Sequence, residues 1–291
     1  MPPFSASDLL LNEGRIYHLN ISAEQLYENI ILVGDPGRVP MISKKFDSLE
    51  HEVQNREFVT HSGKYKGTGI TALSTGIGTD NIDIVLNEID ALLNIDADTR
   101  EAKQQAKSAR LVRIGTCGAL QENIAPGERV VSSFVAGFDN LHAYYNWKQY
   151  DQEAFVQKAV HKHLKEHKVK LKPYILQSTS VLDQLLPSTW KRGLTATAPG
   201  FYGPQMRQLR AQLKYENFNE VLSSFKKGGL QFMNFEMESS AIYMLSRMLD
   251  HQCVTVNLVL ANRMRQEVLS DYHEKMDKLI GEVLDVMSTI N

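Results

Sequence analysis

Cysteine is scarce in this sequence, and long hydrophobic runs are missing. The 291 residues include two cysteines, Cys117 and Cys253, and neither belongs to a Cys-X-X-Cys pair or a Cys/His cluster. This pattern excludes a disulfide scaffold and a cysteine-based zinc site, and it favours a reducing compartment. No apolar run approaches the ~18 residues that span a bilayer, and the first residues lack the basic and apolar regions of a signal peptide. We therefore expect a cytoplasmic protein without a membrane partner.

An excess of charge of either sign is also absent. The chain has 32 Lys and Arg against 34 Asp and Glu, which gives a formal net charge of −2. Residues 158–172 are basic but contain no aromatic side chains, which favours a solvated helix face over a nucleic-acid surface. A Gly-X-Gly-X-X-Gly helix entry is missing as well. We expect no nucleic-acid partner, and any anion site must be built locally.

Short apolar runs that end in glycine or polar turns recur along the chain. Runs of this kind occupy residues 30–33, 70–74, 111–114, 129–134 and 254–260. Their length and composition predict buried strands, and a helical pattern follows the second run. Residues 58–65 suggest a hairpin that turns at Ser62 and Gly63, which makes the predicted sheet mixed rather than purely parallel.

Two late helices complete the predicted α/β fold. The first is expected over residues 234–249. The second is expected over residues 272–290, with an apolar face formed by Met276, Leu279, Ile280, Val283, Leu284 and Met287. Because no repeat or low-complexity linker interrupts the strand-and-turn pattern, we predict a single domain over residues 1–291.

Polar groups gather at the predicted strand ends, where open α/β sheets bind ligands. Residues 34–38 read Gly-Asp-Pro-Gly-Arg, so backbone N–H groups lie beside the Arg38 guanidinium in a manner suited to phosphate. An ordinary glycine turn with a surface arginine is the alternative. Arg113 interrupts an apolar strand, and a buried guanidinium needs either a bound anion or an internal carboxylate as its partner.

Two further motifs carry groups that suit a sugar and a heterocycle. Glu236 and Glu238 stand two residues apart at the predicted start of a helix, where carboxylates either cap the helix or accept hydrogen bonds from vicinal hydroxyls. Phe201 precedes Gln205 and Arg207. Glutamine offers a donor and an acceptor while arginine offers donors, so the pair suits an amide-like edge of a base.

Taken in order, these segments resemble the nucleoside phosphorylase superfamily, and its uridine phosphorylases more than its purine-specific members. The resemblance is carried by residues 16–19, 34–38, 55–58, 74–78, 113–116, 201–207, 234–239 and 262–263. It implies a three-layer α/β/α sandwich with a central mixed sheet. It also implies phosphorolysis of a pyrimidine nucleoside, in which uridine and phosphate give uracil and ribose 1-phosphate.

The resemblance assigns roles to the matched positions. The expected phosphate ligands are Gly34, Arg38, Arg56, Arg113 and Thr116; the ribose ligands are His18, Met237 and Glu238; and the base ligands are Phe201, Gln205 and Arg207. Four of them, Arg113, Gln205, Arg207 and Glu238, are expected to act in catalysis by placing charge around the reacting bond. His18 and Arg56 would reach the site from a neighbouring subunit, which implies at least a homodimer, with a hexamer built as a trimer of dimers as the larger alternative.

Substrate preference and accessory groups stay open at this stage. Purine-specific relatives carry a Ser-Asp pair after the late strand, where this chain has Ala261-Asn262-Arg263, so the general acid that protonates a purine is missing. A purine nucleoside phosphorylase is still the nearer rival, and a hydrolytic nucleosidase is the other. We expect inorganic phosphate as co-substrate, with no organic cofactor and no metal centre. Relatives bind a monovalent cation through the glutamate that matches Glu57, and Asn81 replaces a serine ligand here. Surplus length lies in residues 97–109, as a helix extension or a solvated linker, and in residues 144–172.

Overall fold

The structure is a computed structural model that describes residues 8–178 and 181–290. Its strands are β1 (Leu11–Asn12), β2 (Arg15–Ile16), β3 (Asn29–Val33), β4 (Ser48–Asn55), β5 (Phe58–Tyr65), β6 (Thr68–Ser74), β7 (Arg110–Ala119), β8 (Arg129–Gly137), β9 (Tyr174–Gln177), β10 (Lys191–Thr197), β11 (Phe232–Glu236), β12 (Gln252–Asn262) and β13 (Glu267–Val268). Its α-helices are α1 (Arg38–Ser43), α2 (Thr79–Asn94), α3 (Asp151–Glu166), α4 (Leu182–Leu185), α5 (Phe218–Ser224), α6 (Ser239–Met248) and α7 (Tyr272–Ser288).

Eleven of the strands form one mixed sheet in the order β13-β12-β8-β10-β11-β7-β3-β6-β5-β4, with β9 beside β8. Strand β3 runs parallel to β6 and β7, and β7 runs parallel to β12, whereas β10 runs parallel to β8 and β11. These two parallel groups meet where β7 pairs antiparallel with β11 at Gly118 and Ala119. Because β12 also pairs with β8, strands β7, β12, β8, β10 and β11 close into a ring. The predicted mixed sheet is confirmed, and its closure is an additional finding.

Helices cover both faces of the sheet, which confirms the three-layer arrangement. On one face, α2 and α6 bury apolar side chains such as Ile82, Leu86 and Ile242 against the strands. On the other face, α1 and α7 contribute a second cluster. All six residues predicted for the apolar face of the last helix, Met276, Leu279, Ile280, Val283, Leu284 and Met287, are fully buried there.

The predicted hairpin turn at Ser62 and Gly63 is wrong. Strand β5 passes straight through both residues, and the turn to β6 comes at Lys66 and Gly67, which both have positive φ angles. Gly63 is needed inside the strand for a different reason: a Cβ atom there would lie 2.1 Å from the carbonyl oxygen of Ser48 on the neighbouring strand.

The first late helix begins later than predicted. Residues 234–236 belong to β11, and α6 begins at Ser239. The strand is favoured because residues 232–236 are completely covered by the strands on either side and by the helices. The two glutamates of this motif therefore lie at a strand-to-helix junction rather than inside a helix.

The surplus segments add surface elements to the same sheet. Residues 97–109 contain no helix; Ile95 forms an isolated bridge with Ala102, and the rest is turn or extended chain. Residues 144–172 contain α3, which is anchored by the buried carboxylate of Glu153 against Arg247 on α6. Both halves of the chain thus contribute to one continuous sheet, which is consistent with the predicted single domain.

Candidate active site

A cavity of about 800 Å³ lies where the carboxyl ends of the two parallel strand groups meet. It is lined by nine of the predicted site residues: Gly34, Arg38, Arg113, Thr116, Phe201, Gln205, Arg207, Met237 and Glu238. They come from β7 and from the segments that follow β3, β10 and β11. The topology therefore gathers residues as far apart in the sequence as Gly34 and Glu238, and the cavity is the candidate active site.

The β3–α1 turn forms one end of this cavity. Arg38, the first residue of α1, is 8% exposed, and its Nη1 donates to the carbonyl oxygen of Ile114 at 3.0 Å. Burial lowers the pKa of Arg38, and the neighbouring Arg113 guanidinium lowers it further. Gly34 lets the turn at Gly76 approach closely, because a Cβ atom at position 34 would lie 3.3 Å from the Gly76 carbonyl oxygen. Two cations held close together in a desolvated pocket form a strong anion site.

Arg113 has the internal carboxylate partners that one interpretation of its sequence position predicts. Its side chain is buried, with Nη2 donating to Glu238 Oε2 and Nη1 lying 3.6 Å from Glu236 Oε2. Nη1 also donates to Asn257 Oδ1 at 3.1 Å. The internal carboxylate partners exist, yet they and Arg113 line the same cavity. The ion pair therefore forms part of the cavity wall.

Glu236 is a member of the site to which no role was assigned from the sequence. Its Oε2 accepts hydrogen bonds from the backbone N–H groups of Glu238 and Ser239, each at 2.9 Å, and its Oε1 accepts one from the Thr197 hydroxyl at 2.6 Å. Burial raises the pKa of Glu236, and the charge of Glu238 adds to this, while Arg113 opposes it. The Glu-Met-Glu motif allows two interpretations of its carboxylates. Glu236 caps the start of α6, as the first interpretation predicts, and Glu238 is the carboxylate that suits a ligand.

Glu238 is held from two sides. Its Oε1 accepts a hydrogen bond from the backbone N–H of Gly78 at 2.8 Å, immediately before α2, and its Oε2 accepts from Arg113. The side chain is 4% exposed. A carboxylate oriented in this way retains lone pairs that could accept hydrogen bonds from vicinal hydroxyls.

The opposite end of the cavity carries an aromatic ring and a fixed amide. The guanidinium of Arg207 lies 3.6 Å from the ring centre of Phe201, and its Nη1 donates to Gln205 Oε1 at 2.9 Å. Arg263 also donates to Gln205 Oε1, at 3.1 Å, and to the Gln205 carbonyl oxygen. Since two guanidinium groups bind the amide oxygen, the amide N–H₂ of Gln205 is the group oriented to donate.

Arg263 is the second residue without an assigned role. It was part of a motif that carried the family resemblance, but the sequence alone gave no contact for it. Burial lowers the pKa of Arg263 to about 10, with a smaller contribution from Arg207. Arg207 and Arg263 bring two guanidinium groups to this end of the cavity.

Asn262 faces away from this chemistry. Its Nδ2 donates to the carbonyl oxygens of Gln121 and Ile124, and its Oδ1 accepts from the backbone N–H groups of Met264 and Arg265. The side chain is 1% exposed and does not line the cavity. Its hydrogen bonds hold the β12–β13 turn.

His18 and Arg56 lie outside the cavity of their own chain. His18 Nδ1 lies 2.6 Å from Glu88 Oε1. Arg56 is on the exposed β4–β5 turn, and its guanidinium lies 5.5 Å from the ring centre of Tyr17. The side chains are near each other at the surface because Asn55 Nδ2 donates to the His18 carbonyl oxygen. Neither residue therefore lines the cavity of its own chain.

Glu57, the expected ligand of a monovalent cation, is next to Asn81 at the cavity. Glu57 is exposed at the cavity mouth, and its Oε1 accepts a hydrogen bond from Asn81 Nδ2 at 3.2 Å, where a cation would need another oxygen. Across residues 8–178 and 181–290, no group of three or more His, Cys, Asp or Glu side chains could hold a metal ion. None of the helices in these ranges is long and apolar enough to cross a membrane.

Comparison with known proteins gives consistent matches over almost the whole chain. A family model described as the phosphorylase superfamily matches residues 28–289. A uridine phosphorylase of Thermococcus kodakarensis is 28% identical over 264 residues, 88% of this chain and 80% of that protein. One from Haemophilus influenzae is 26% identical over 256 residues, 87% of this chain and 88% of that protein. The solved structure of a Trypanosoma brucei nucleoside phosphorylase, described as showing uridine phosphorylase activity, has a TM-score of 0.87 at 30% identity and covers 97% of this chain and 100% of its own.

Proposed function

The chain belongs to the phosphorylase superfamily, and from this premise we propose that it catalyses the phosphorolysis of a pyrimidine nucleoside. The proposed reaction converts uridine and inorganic phosphate to uracil and ribose 1-phosphate in nucleoside salvage and catabolism. The relatives from T. kodakarensis and H. influenzae are named uridine phosphorylases, which supports this substrate class.

One observation carries the proposal: a single cavity has a cationic end, a carboxylate centre and a second cationic end beside an aromatic ring. Arg38 and Arg113 form the first end, Glu238 the centre, and Gln205 with Arg207 the second end. Phosphate, ribose and base have the matching order of charge and hydrogen-bonding groups. Each part of the nucleoside therefore has a partner that its chemistry requires.

The mechanism follows from where charge develops. A phosphate oxygen forms a bond to C1′ of the ribose while the bond from C1′ to N1 of the base breaks, and N1 keeps the electron pair. The sugar becomes cationic between two anions, and the departing base carries negative charge that spreads from N1 to its carbonyl oxygens. Arg38 and Arg113 orient the phosphate, Glu238 holds the ribose hydroxyls, and Gln205 with Arg207 stabilises the base anion. No organic cofactor or metal is needed in this scheme.

A pyrimidine base is favoured over a purine by Asn262. A purine leaving group needs a proton on its ring as the bond breaks, and a carboxylic acid is the usual donor at this place in purine-specific relatives. The Asn262 hydrogen bonds described above all go to backbone groups, two in the β7–β8 loop and two in the β12–β13 turn. The guanidinium and amide groups at the base end suit a base that leaves as an anion.

The complete site is proposed to be shared between subunits of a homodimer, or of a hexamer built as a trimer of dimers. The surface cluster of exposed Tyr17, half-buried His18 and exposed Arg56 would complete the site of a partner, with Arg56 directed to the phosphate and His18 to the ribose. A cytoplasmic location is part of the same proposal, since Cys117 and Cys253 are both unpaired thiols.

One assay tests the proposal directly. Base release is measured from uridine, deoxyuridine, thymidine and inosine, each with and without inorganic phosphate. We expect phosphate-dependent release of uracil from uridine. Release without phosphate would indicate a nucleosidase, and faster release from inosine would indicate a purine nucleoside phosphorylase; either result overturns the proposal.

A further inference from the structure

Arg113 reaches the cavity by lying across its own strand. Strands β7 and β12 are parallel, and Gly115 is the register partner of Asn257. Side chains two positions apart share a face of a strand, so Arg113, Gly115 and Asn257 project from the same face of the sheet. The guanidinium of Arg113 lies over Gly115 and donates from Nη1 to Asn257 Oδ1 at 3.1 Å.

The Arg113 guanidinium and the Asn257 amide oxygen fill the space that a side chain at position 115 would occupy. A Cβ atom at position 115 would lie 1.8 Å from Arg113 Nη1 and 2.2 Å from Asn257 Oδ1. Both distances are far below van der Waals contact, so any side chain here would displace the guanidinium or the amide. Glycine at this point therefore serves the pairing of Arg113 with Asn257, and the local backbone conformation does not require it.

Asn257 differs in charge from the other two partners of Arg113. Glu236 and Glu238 are carboxylates, whereas Asn257 supplies a neutral oxygen and is fully buried. It does not line the cavity, so it acts through Arg113. Two carboxylates already oppose the two guanidinium groups, Arg38 and Arg113, that face the phosphate end.

We propose that Asn257 is a positioning residue for phosphate binding: it fixes the Arg113 guanidinium toward the cavity with an acceptor that carries no charge. This inference rests on the proposed function, in which Arg113 binds phosphate. A third anion at position 257 would give the cluster an excess of negative charge where a phosphate dianion must bind. At a few ångströms in a partly screened interior, one added unit charge changes binding by on the order of 10²–10³-fold.

The test compares Asn257→Asp and Asn257→Ala with the wild-type chain. Asp keeps the size and the acceptor oxygen but adds charge, while Ala removes the acceptor. The matched control is Asn29→Asp, because Asn29 is also buried and its Oδ1 accepts from an arginine, Arg110 Nε at 2.7 Å, yet it lies at the other end of β3 outside the cavity.

Two readouts are taken, and the first does not depend on which nucleoside is the substrate. Inorganic phosphate is titrated while Tm is recorded, since a ligand that binds the folded state raises Tm by mass action. We expect Asn257→Asp to weaken phosphate binding about 100-fold or more, because it adds a negative charge beside the Arg113 guanidinium. Asn257→Ala is expected to weaken it about 10-fold, as for a lost hydrogen bond to a charged group. Asn29→Asp should match wild type.

The second readout is the KM for phosphate and the KM for uridine in phosphorolysis. The inference predicts that the Asp variant raises the phosphate KM more than the uridine KM.

If Asn257→Asp and Asn257→Ala both bind phosphate as wild type does, the inference is wrong. If wild type binds phosphate but releases no uracil, the proposed function fails while the Tm titration still decides the role of Asn257. If one of the two Asn257 variants does not unfold cooperatively, the phosphate affinity of the other variant tests the inference.

Discussion

Arg113 shows why a buried charge in a sequence points to a site without describing it. An arginine within an apolar strand needs a partner, and the sequence left a bound anion and an internal carboxylate as alternatives. The structure supplies Glu236 and Glu238 as partners inside the cavity itself. An arginine that is fixed by carboxylates is preorganised, because little rearrangement is needed when an anion arrives.

The most direct residue-scale prediction concerns Arg207. This side chain stacks on Phe201 and donates to Gln205 Oε1, at the place where negative charge would develop on the base. We expect Arg207→Ala to lower kcat on uridine by ~10²–10³-fold, which is the usual loss for one preorganised donor. The uridine KM should change much less, since the charge appears only as the bond breaks.

The control for this variant lies three residues away. Arg210 is exposed and does not line the cavity, so Arg210→Ala should leave steady-state kinetics on uridine unchanged. If Arg207→Ala also leaves kcat unchanged, Arg207 has no part in stabilising the leaving base, and Arg263 with Gln205 would have to carry that role.

At the scale of elements, the sequence predicted strands better than it predicted their junctions. Apolar runs such as residues 30–33 and 254–260 are strands because burial on both faces demands such a composition. The turn at Lys66 and the start of α6 depend on contacts with distant segments, such as Gly63 against Ser48. Pattern alone does not contain those contacts.

The same limit explains which site residues could be predicted. Gly34, Arg38 and Glu238 stand in local motifs at strand ends, so sequence spacing marks them. Asn257 and Arg263 act through register across β7 and β12 and through a turn after β12, which appear only when the sheet is assembled. Closure of the ring brings these distant strands together, and a list of strands does not determine that closure.

A buried ion pair fixes the surplus segment at residues 144–172 to the core, together with the apolar side chains of α3. The Glu153 side chain is 0% exposed and accepts from Arg247 at 2.6 and 3.0 Å as well as from the backbone N–H groups of Tyr150 and Gln177. Glu153→Gln would place an amide N–H₂ among these donors. We expect it to lower the free energy of unfolding by ~3–5 kcal/mol, measured by urea denaturation, because one partner of a buried pair is lost.

A matched substitution on the same helix separates this effect from a general change of charge. Glu166 pairs with Lys162 at 3.8 Å, and both side chains are largely exposed. Glu166→Gln should therefore change stability by no more than about 0.5 kcal/mol. Equal effects from the two substitutions would mean that the Glu153 pair does not anchor α3.

At the scale of the whole molecule, the proposed dimer makes a prediction that a monomeric site does not. Arg38 lines the cavity of its own chain, whereas Arg56 lies on an exposed turn outside it. If Arg56 acts in a partner's site, chains carrying Arg56→Ala and chains carrying Arg38→Ala should complement each other. Each parent assembly lacks one arginine at every site, but a mixed dimer contains one site with both.

Co-expression of the two variants tests this complementation. Random pairing makes half of the dimers mixed, and each mixed dimer has one intact site of two, so activity should recover to about a quarter of wild type in a symmetric assembly. The control mixes Arg56→Ala with His18→Ala. Both residues are proposed to act in the site of the partner, so each site of a mixed dimer lacks either Arg56 or His18. No intact site forms, and activity should equal the mean of the two parent assemblies. Equal results from the two mixtures would place Arg56 outside the partner's active site, whatever the oligomeric state.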